Sequence, residues 1–326
     1  MKHVPTIFFL CALLFATSCE EASNTKTIRL AHGLDINHSV HRAMVKMGED
    51  LDSVSKGRLR VEIYPNQQLG TEREILELIQ LGSLDMTKVS VATLENFAPK
   101  TRILGLPYLF ESRKHAFEVL DGPIGQALLD NAEQFRLKGL GYYDAGFRSF
   151  YSEQAPVTAP DDLKGLKIRV MESVTAIDMV KSLGGSPTPI SWGELYTSLQ
   201  QGVVDGAENN PPSFYLSKHY EVCPYYSLDE HTFSPDVLIV GTQFWDTLSK
   251  QEQGWVQQAV KKSLAHQRKL WAISEAEALE KVQEAGVKIS YPDKEPFIKM
   301  TREMYRTYEE DEELNSMIQQ IKSLAN

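Results

Sequence analysis

Cysteine is scarce in this chain, with three in 326 residues. Cys11 sits in an apolar stretch near the start and Cys19 follows a run of small residues. Cys223 is then alone, which excludes an internal disulfide and leaves the fold to rest on packing. Beside Pro224-Tyr225-Tyr226, Cys223 reads as a small buried hydrophobe. Long apolar runs are missing too. The most apolar segment, Ile7–Phe15, is too short for a transmembrane helix. No G-x-S-x-G, H-E-x-x-H, P-loop or G-x-G-x-x-G occurs, although many active sites carry no local motif. Repeats, low-complexity tracts and Pro/Ser linkers are absent, which favours lobes joined by several crossing strands over independent modules. Positive charge is in deficit: 34 Lys and Arg against 44 Asp and Glu give a formal net charge of -10. That argues against nucleic acid or an anionic membrane surface as partner. It leaves a small anion open, because a buried arginine acts over a few ångströms while surface charge is screened.

Lys2 and His3 precede the apolar run, which ends in Ala16-Thr17-Ser18-Cys19. Residues 1–18 read as a signal peptide. The small residues before Cys19 look like a bacterial lipoprotein cleavage site, with Ala16 where Leu is usual, so Cys19 is expected to be lipidated. Ordinary signal-peptidase cleavage nearby is the alternative. Residues 19–26 then form a tether, and the lipid is the chain's only membrane contact, on the periplasmic side.

Thr27–His32 alternates as a first strand. Val40–Ser55 has helical apolar spacing with Gly57 as its stop. Leu59–Tyr64 reads as a strand, Thr71–Leu81 as a helix with a Thr71/Glu74 capping box, and Leu84–Ser90 as a third strand. The rhythm predicts α/β architecture with a mostly parallel sheet. Helices over His115–Leu120 and Ile124–Phe135 precede a strand at Leu137–Tyr143. A second βα series starts at Arg148, with strands at Lys167–Val170 and Gly206–Glu208 and helices over Ser173–Leu183 and Trp192–Gln201. Asp236–Gly241 is a further strand. The periodic run Ser249–Ala285 would span about 55 Å as a helix, more than one lobe's diameter, so it is expected to bridge two lobes.

Arg169 lies on the strand Lys167–Val170. A guanidinium in a strand core is expensive to desolvate and is kept where a carboxylate or phosphate must be held. The ordinary alternative is a surface arginine paired with an acid. Arg148, in GFRSF, is a second guanidinium about one βα length upstream, and Asn209 could add an amide or serve only the turn before Pro211-Pro212. Lys88 and Ser90 end the third strand, where open α/β sheets place ligands, and His32, Asn37 and His38 follow the first strand at a comparable edge. Asp144 precedes Arg148 by four residues and could orient it or meet a hydroxyl. Trp192 has the best claim to stack on a ring, with Phe214, Tyr215 and Tyr220 mostly core. His38 and His41 form H-x-x-H near His32, but without Glu or Cys at ligand spacing a metal site is not expected.

The segments IRLAHGLDINHSVHRAM, GRLRVEIYPNQQLGTEREILELIQLGSLDMTKVS, LPYLF, the stretch from GLKIRV to DGAENN, and AGVKISYPDKEPF occur in an order that closely resembles the solute receptors of tripartite ATP-independent periplasmic (TRAP) transporters, of the C4-dicarboxylate-receptor type. The resemblance implies a two-lobed periplasmic-binding-protein fold with a long helix spanning both lobes and a ligand cleft between them. It divides the chain into 27–146 plus 235–274 in one lobe and 147–234 plus 275–326 in the other. It implies ligand capture without catalysis or cofactor, and delivery to TRAP permease membrane subunits. Arg169 in GLKIRV matches the arginine that binds the ligand carboxylate, Arg148 a second such arginine and Asn209 an amide reaching the same group. Glu72 matches an acidic position facing polyhydroxy ligands, though it would also suit a helix N-terminus. The run from AENNPPSF to DEHT resembles the branch that takes hexuronates such as glucuronate or galacturonate. A C4-dicarboxylate would want a second cation, for which Lys88 is the candidate. Two other classes remain: an enzyme on uronate oligomers with Glu72 and Asp144 as acid and base, and a metal-binding lipoprotein using His32, His38 and His41.

Overall fold

The computed structural model describes residues 25–325. The expected signal peptide and Cys19 lie outside the described residues. The strand expected from Thr27 begins one residue earlier, at Lys26, which pairs with Leu59 and reaches Glu252 with its ammonium. The tether of 19–26 therefore loses its last residue to the fold.

Eleven strands among the described residues form two sheets. They are β1 Lys26–Ala31, β2 Leu59–Tyr64, β3 Met86–Ser90, β4 Leu137–Tyr143, β5 Phe147–Ser152, β6 Lys167–Val170, β7 Ser186–Pro189, β8 Gly206–Asn209, β9 Tyr225–Phe233, β10 Asp236–Gly241 and β11 Lys288–Ser290. The first sheet runs β2-β1-β3-β10-β4 and the second β11-β9-β5-β8-β6-β7. The expected parallel start holds for β1, β2 and β3. The sheet as a whole is mixed, because β10 runs antiparallel to both β3 and β4. It enters after β9 has completed its path through the second sheet, so it returns in the opposite direction.

The helices are α1 Ser39–Ser55, α2 Glu72–Gln80, α3 Val91–Leu94, α4 Arg113–Leu120, α5 Pro123–Asn131, α6 Val174–Ser182, α7 Leu195–Gln200, α8 Pro211–Leu216, α9 Thr242–Asp246, α10 Lys250–Glu284, α11 Glu295–Arg306 and α12 Glu312–Ser323. The Thr71/Glu74 capping box starts α2, and a second box, Ser249/Glu252, starts α10. Each box satisfies backbone donors that the first helical turn cannot.

Two apolar clusters flank the first sheet. One gathers Ile75, Ile79, Leu104, Val119 and Ile239; the other Ile28, Met44, Leu238, Val260 and Trp271. Two more flank the second sheet, around Phe150, Val170 and Phe297 and around Tyr151, Phe214, Cys223 and Tyr226. Cys223 is free and buried, as its surroundings suggested. The 35-residue α10, about 52 Å at 1.5 Å per residue, places Val256 and Val260 in the first sheet's core and Val282 in the second's. It therefore bridges the lobes as expected. No helix among the described residues is long and apolar enough to cross a membrane. The last helix departs from the lobe division above: α12 buries Leu314, Ile318 and Ile321 in the first sheet's cluster.

Short connections carry the chain between sheets at β4–β5 and β9–β10, and α10 carries it from β10 to β11. Gly146, at φ 63°, makes the first crossing, where a Cβ would lie 2.9 Å from Glu275 and 3.1 Å from Trp271. Beside the second crossing, Phe233 ends β9 yet packs edge-on against Phe110, Phe117 and Phe147 in the first sheet's core. Phe233→Ala is expected to cost about 3–5 kcal/mol of unfolding free energy, the scale for truncating a buried aromatic ring, read as a fall in the urea midpoint.

Candidate ligand-binding cleft

A cleft of about 790 Å³, part of it open to solvent, lies between the sheets. The ends of β3 and β10 and the start of α2 supply Lys88, Ser90, Asp236 and Glu72. The second sheet supplies Arg148, Arg169 and Asn209 from β5, β6 and β8, with Trp192 at the turn before α7. His38 lines it from the start of α1 and Trp271 from α10.

Arg169 is 2% exposed. Its Nε donates to Ile190 O at 2.9 Å, its Nη1 is buried without a partner, and it makes no ion pair with any described carboxylate. Burial pushes the guanidinium down to about 10, an unusual displacement for arginine. The Trp192 ring lies 5.8 Å from its centre, so Trp192 faces the cation as well as the cleft. Phe214 is core, and Tyr215 and Tyr220 pack against the same cluster.

Arg148 is differently placed. It too lines the cleft, but its guanidinium is partnered from within. Arg148 Nε pairs with Glu208 Oε2, and its Nη2 donates to Glu208 Oε1 at 2.8 Å and to Glu208 O at 2.7 Å. Nη1 donates to Asn209 Oδ1 at 3.0 Å, and Asn210 N donates to the same oxygen at 2.9 Å. Both partners are donors only, so they fix the amide with its oxygen inward and leave Nδ2 for the cleft. Arg148 therefore orients Asn209.

Glu208 also faces His231 at 3.5 Å, which in turn holds Asp229 at 2.8 Å. Burial works against the charges of Arg148, Glu208 and His231. Arg148 and His231 nevertheless hold Glu208 down to about 2, and Asp229 and Glu208 raise His231 to about 9. Alternating signs make a buried charge row tolerable, because each ion has a partner.

On the facing wall, Lys88 is 3% exposed and sits between Glu72 Oε1 at 3.0 Å and Asp236 Oδ2 at 3.1 Å. Glu72 Oε2 accepts from Ser90 N at 3.2 Å and Thr93 Oγ1 at 2.9 Å. Glu72 is thus both a first-turn acid of α2 and a cleft residue, which joins the two readings of it. Ser90 Oγ lies 3.3 Å from Ser234 Oγ and caps α3. His38 Nδ1 accepts from Val40 N at 3.2 Å, so the proton is on Nε2, which is buried and unpartnered. Burial and then the Lys88 charge push this imidazole down to about 3, so it is a neutral donor.

Three expected site residues fall outside. His32 is buried, its Nε2 2.9 Å from His41 Nδ1 and its Nδ1 accepting from Leu34 N. It does not line the cleft, because it shapes the loop after β1 from inside. Asn37 is exposed and bonds Asp35 through both its backbone and its amide. Asp144 neither orients Arg148 nor meets the cleft. Its Oδ2 is 2.9 Å from Arg113 Nε, without the alignment of a hydrogen bond, and its Oδ1 accepts from Gly146 N. Burial pushes Asp144 up to about 6, with Arg113 opposing. The cleft gains residues that sequence did not single out. Asp236 and Trp271, whose Nε1 is buried without a partner, read only as a strand start and a core position.

The walls also touch directly. The buried Glu95 carboxylate of the first lobe accepts from Ser173 Oγ at 2.9 Å, Thr175 N at 3.0 Å and Thr175 Oγ1 at 2.7 Å, at the start of α6. Asn96 Nδ2 donates to Glu172 O at 2.6 Å.

His231 binds its proton more tightly folded than unfolded. Its contribution to stability is complete below pH ~6.5, the ordinary histidine value, and is lost as pH rises through about 9. The urea midpoint is expected to fall between those values, and the fall should shrink in His231→Gln.

A family model, DctP, bacterial extracellular solute-binding protein, family 7, matches residues 30–311. YiiZ of Salmonella typhimurium, an uncharacterized protein, is 35% identical over 325 residues, 99% of each chain. The crystal structure of a TRAP periplasmic solute binding protein from a Bradyrhizobium species, in complex with α/β-D-galacturonate, is similar at TM-score 0.89 and 40% identity over 91% of this chain and 100% of that one. Another, from Anaerococcus prevotii with bound α/β-D-glucuronate, has TM-score 0.90 and 34% identity over 92% and 98%. This chain therefore belongs to the bacterial extracellular solute-binding protein family 7, the DctP type of TRAP receptor, a family of solute receptors and not of enzymes.

Proposed function

We propose that the protein captures a hexuronate, D-glucuronate or D-galacturonate, outside the cytoplasmic membrane and delivers it unmodified to a TRAP permease. The observation that carries this reading is Arg169, a buried guanidinium that lines the cleft and whose Nη1 has no partner. A ligand carboxylate takes charge-assisted hydrogen bonds from Arg169, and Asn209 Nδ2 adds another. Arg148 acts by keeping that amide turned. The two lobes, one around each sheet, close when the charge is matched, since an unpaired buried guanidinium is costly. The similar receptors that hold galacturonate and glucuronate support the choice of ligand.

The alternatives lose their residues. A C4-dicarboxylate would need Lys88, which Glu72 and Asp236 already hold. The acid–base pair of a uronate-cleaving enzyme would need Asp144, which is committed to Arg113 outside the cleft. The three-histidine metal site would need His32, whose ring nitrogens face His41 and Leu34 N.

Isothermal titration with both uronates tests the proposal. Arg169→Ala is expected to weaken binding by at least about 2 kcal/mol, roughly thirtyfold, and Arg169→Lys to recover only part of it because the planar fork is lost. Undiminished affinity in Arg169→Ala would sink the reading.

A further inference from the structure

The cleft's charges are unevenly spread. The second-sheet wall carries Arg148, neutralised by Glu208, and Arg169, without a carboxylate. The first-sheet wall carries Lys88 between two carboxyl groups, Glu72 and Asp236, and also Arg73, which pairs with Glu77 at 3.3 Å. One wall therefore offers a cation in search of an anion, while around Lys88 on the other the carboxyl groups outnumber the cation.

The acceptors on that second wall are not all used. Glu72 receives Lys88, Ser90 N and Thr93. Asp236 Oδ2 receives Lys88, while its Oδ1 takes no hydrogen bond from the described residues. Asp236 is 5% exposed and lines the cleft, so this oxygen is an open acceptor in a buried place. A hydroxyl can donate to it. A carboxylate cannot, having no proton to give, and would meet two carboxyl groups with Lys88 between them already occupied and Arg73 paired with Glu77.

We propose that Glu72, Lys88 and Asp236 form a hydroxyl-reading subsite that excludes a second carboxylate, so that the receptor accepts hexuronates and rejects the aldaric acids of the same carbon skeleton. The inference rests on the hexuronate reading above and names its specificity residues, Asp236 foremost. An aldarate differs from a uronate in carrying a carboxylate at both ends. Arg169 engages one end, and the other is then driven against the acidic wall.

The ring of a uronate and the open chain of an aldarate differ in shape, so the test uses an open-chain pair. Galactonate and galactarate differ only in a terminal hydroxyl against a carboxylate. Titration calorimetry with galacturonate, galactonate and galactarate on the full protein, Glu72→Gln and Asp236→Asn reads the discrimination. Both substitutions keep size and hydrogen-bonding capacity while removing one negative charge. Wild type is expected to bind galactarate at least about tenfold more weakly than galactonate, and each variant to narrow that gap by about tenfold, the scale of removing a close like charge. Equal wild-type affinity for galactonate and galactarate, or a gap unchanged in both variants, overturns the subsite. Tight galacturonate binding alongside either result leaves the hexuronate reading standing and removes only this one. Failure of wild type to bind galacturonate removes both.

Discussion

The desolvated guanidinium of Arg169 is the constraint on which the rest of the cleft depends. A permanent charge enclosed by protein has to be balanced, and every other strongly buried ion around it has been balanced from within. Glu208 neutralises Arg148, Asp229 and Glu208 hold His231, and Glu72 and Asp236 hold Lys88. Arg169 alone keeps a partnerless Nη1. The internal pairings leave one guanidinium of the cleft without an internal carboxylate, in a low-dielectric setting where charge-assisted bonds are strong.

The fold delivers these groups by a simple device. Strands of both sheets end at the cleft, so side chains at the last residues of β3 and β8 and the first of β10 converge from two cores that pack separately. The long helix α10 touches both cores and lends Trp271 to the wall. Glu95 and Asn96, reaching the start of α6, add polar contacts between the walls that open only when the lobes separate. Polar contacts of this kind suit a receptor that must open, since water can replace them at small net cost.

Much of this was legible in the residues. The capping signals of α2 and α10, the β1-α1-β2-α2-β3 series and the lone Cys223 follow from local chemistry. β9 was missed, because its buried residues include Ser227, Asp229 and His231, which spoil the apolar alternation that marks a strand. Asp144 and Asn37 looked eligible by position along the chain, yet Arg113 and Asp35 lie close enough to claim them. Trp271 was hidden for the opposite reason: a tryptophan in a periodic helix reads as core, and this one is core on one side and cleft wall on the other.

The sequence by itself determined the family, the α/β class, the bridging helix and the placing of Arg169 on a strand, since each depends on residue order or local propensity. Only the tertiary structure decided which charges remain free. Ion pairing is a matter of distances of a few ångströms between residues far apart in the chain, such as Arg148 with Glu208 and Lys88 with Asp236. No linear pattern encodes those distances, because they arise when two sheets are brought face to face.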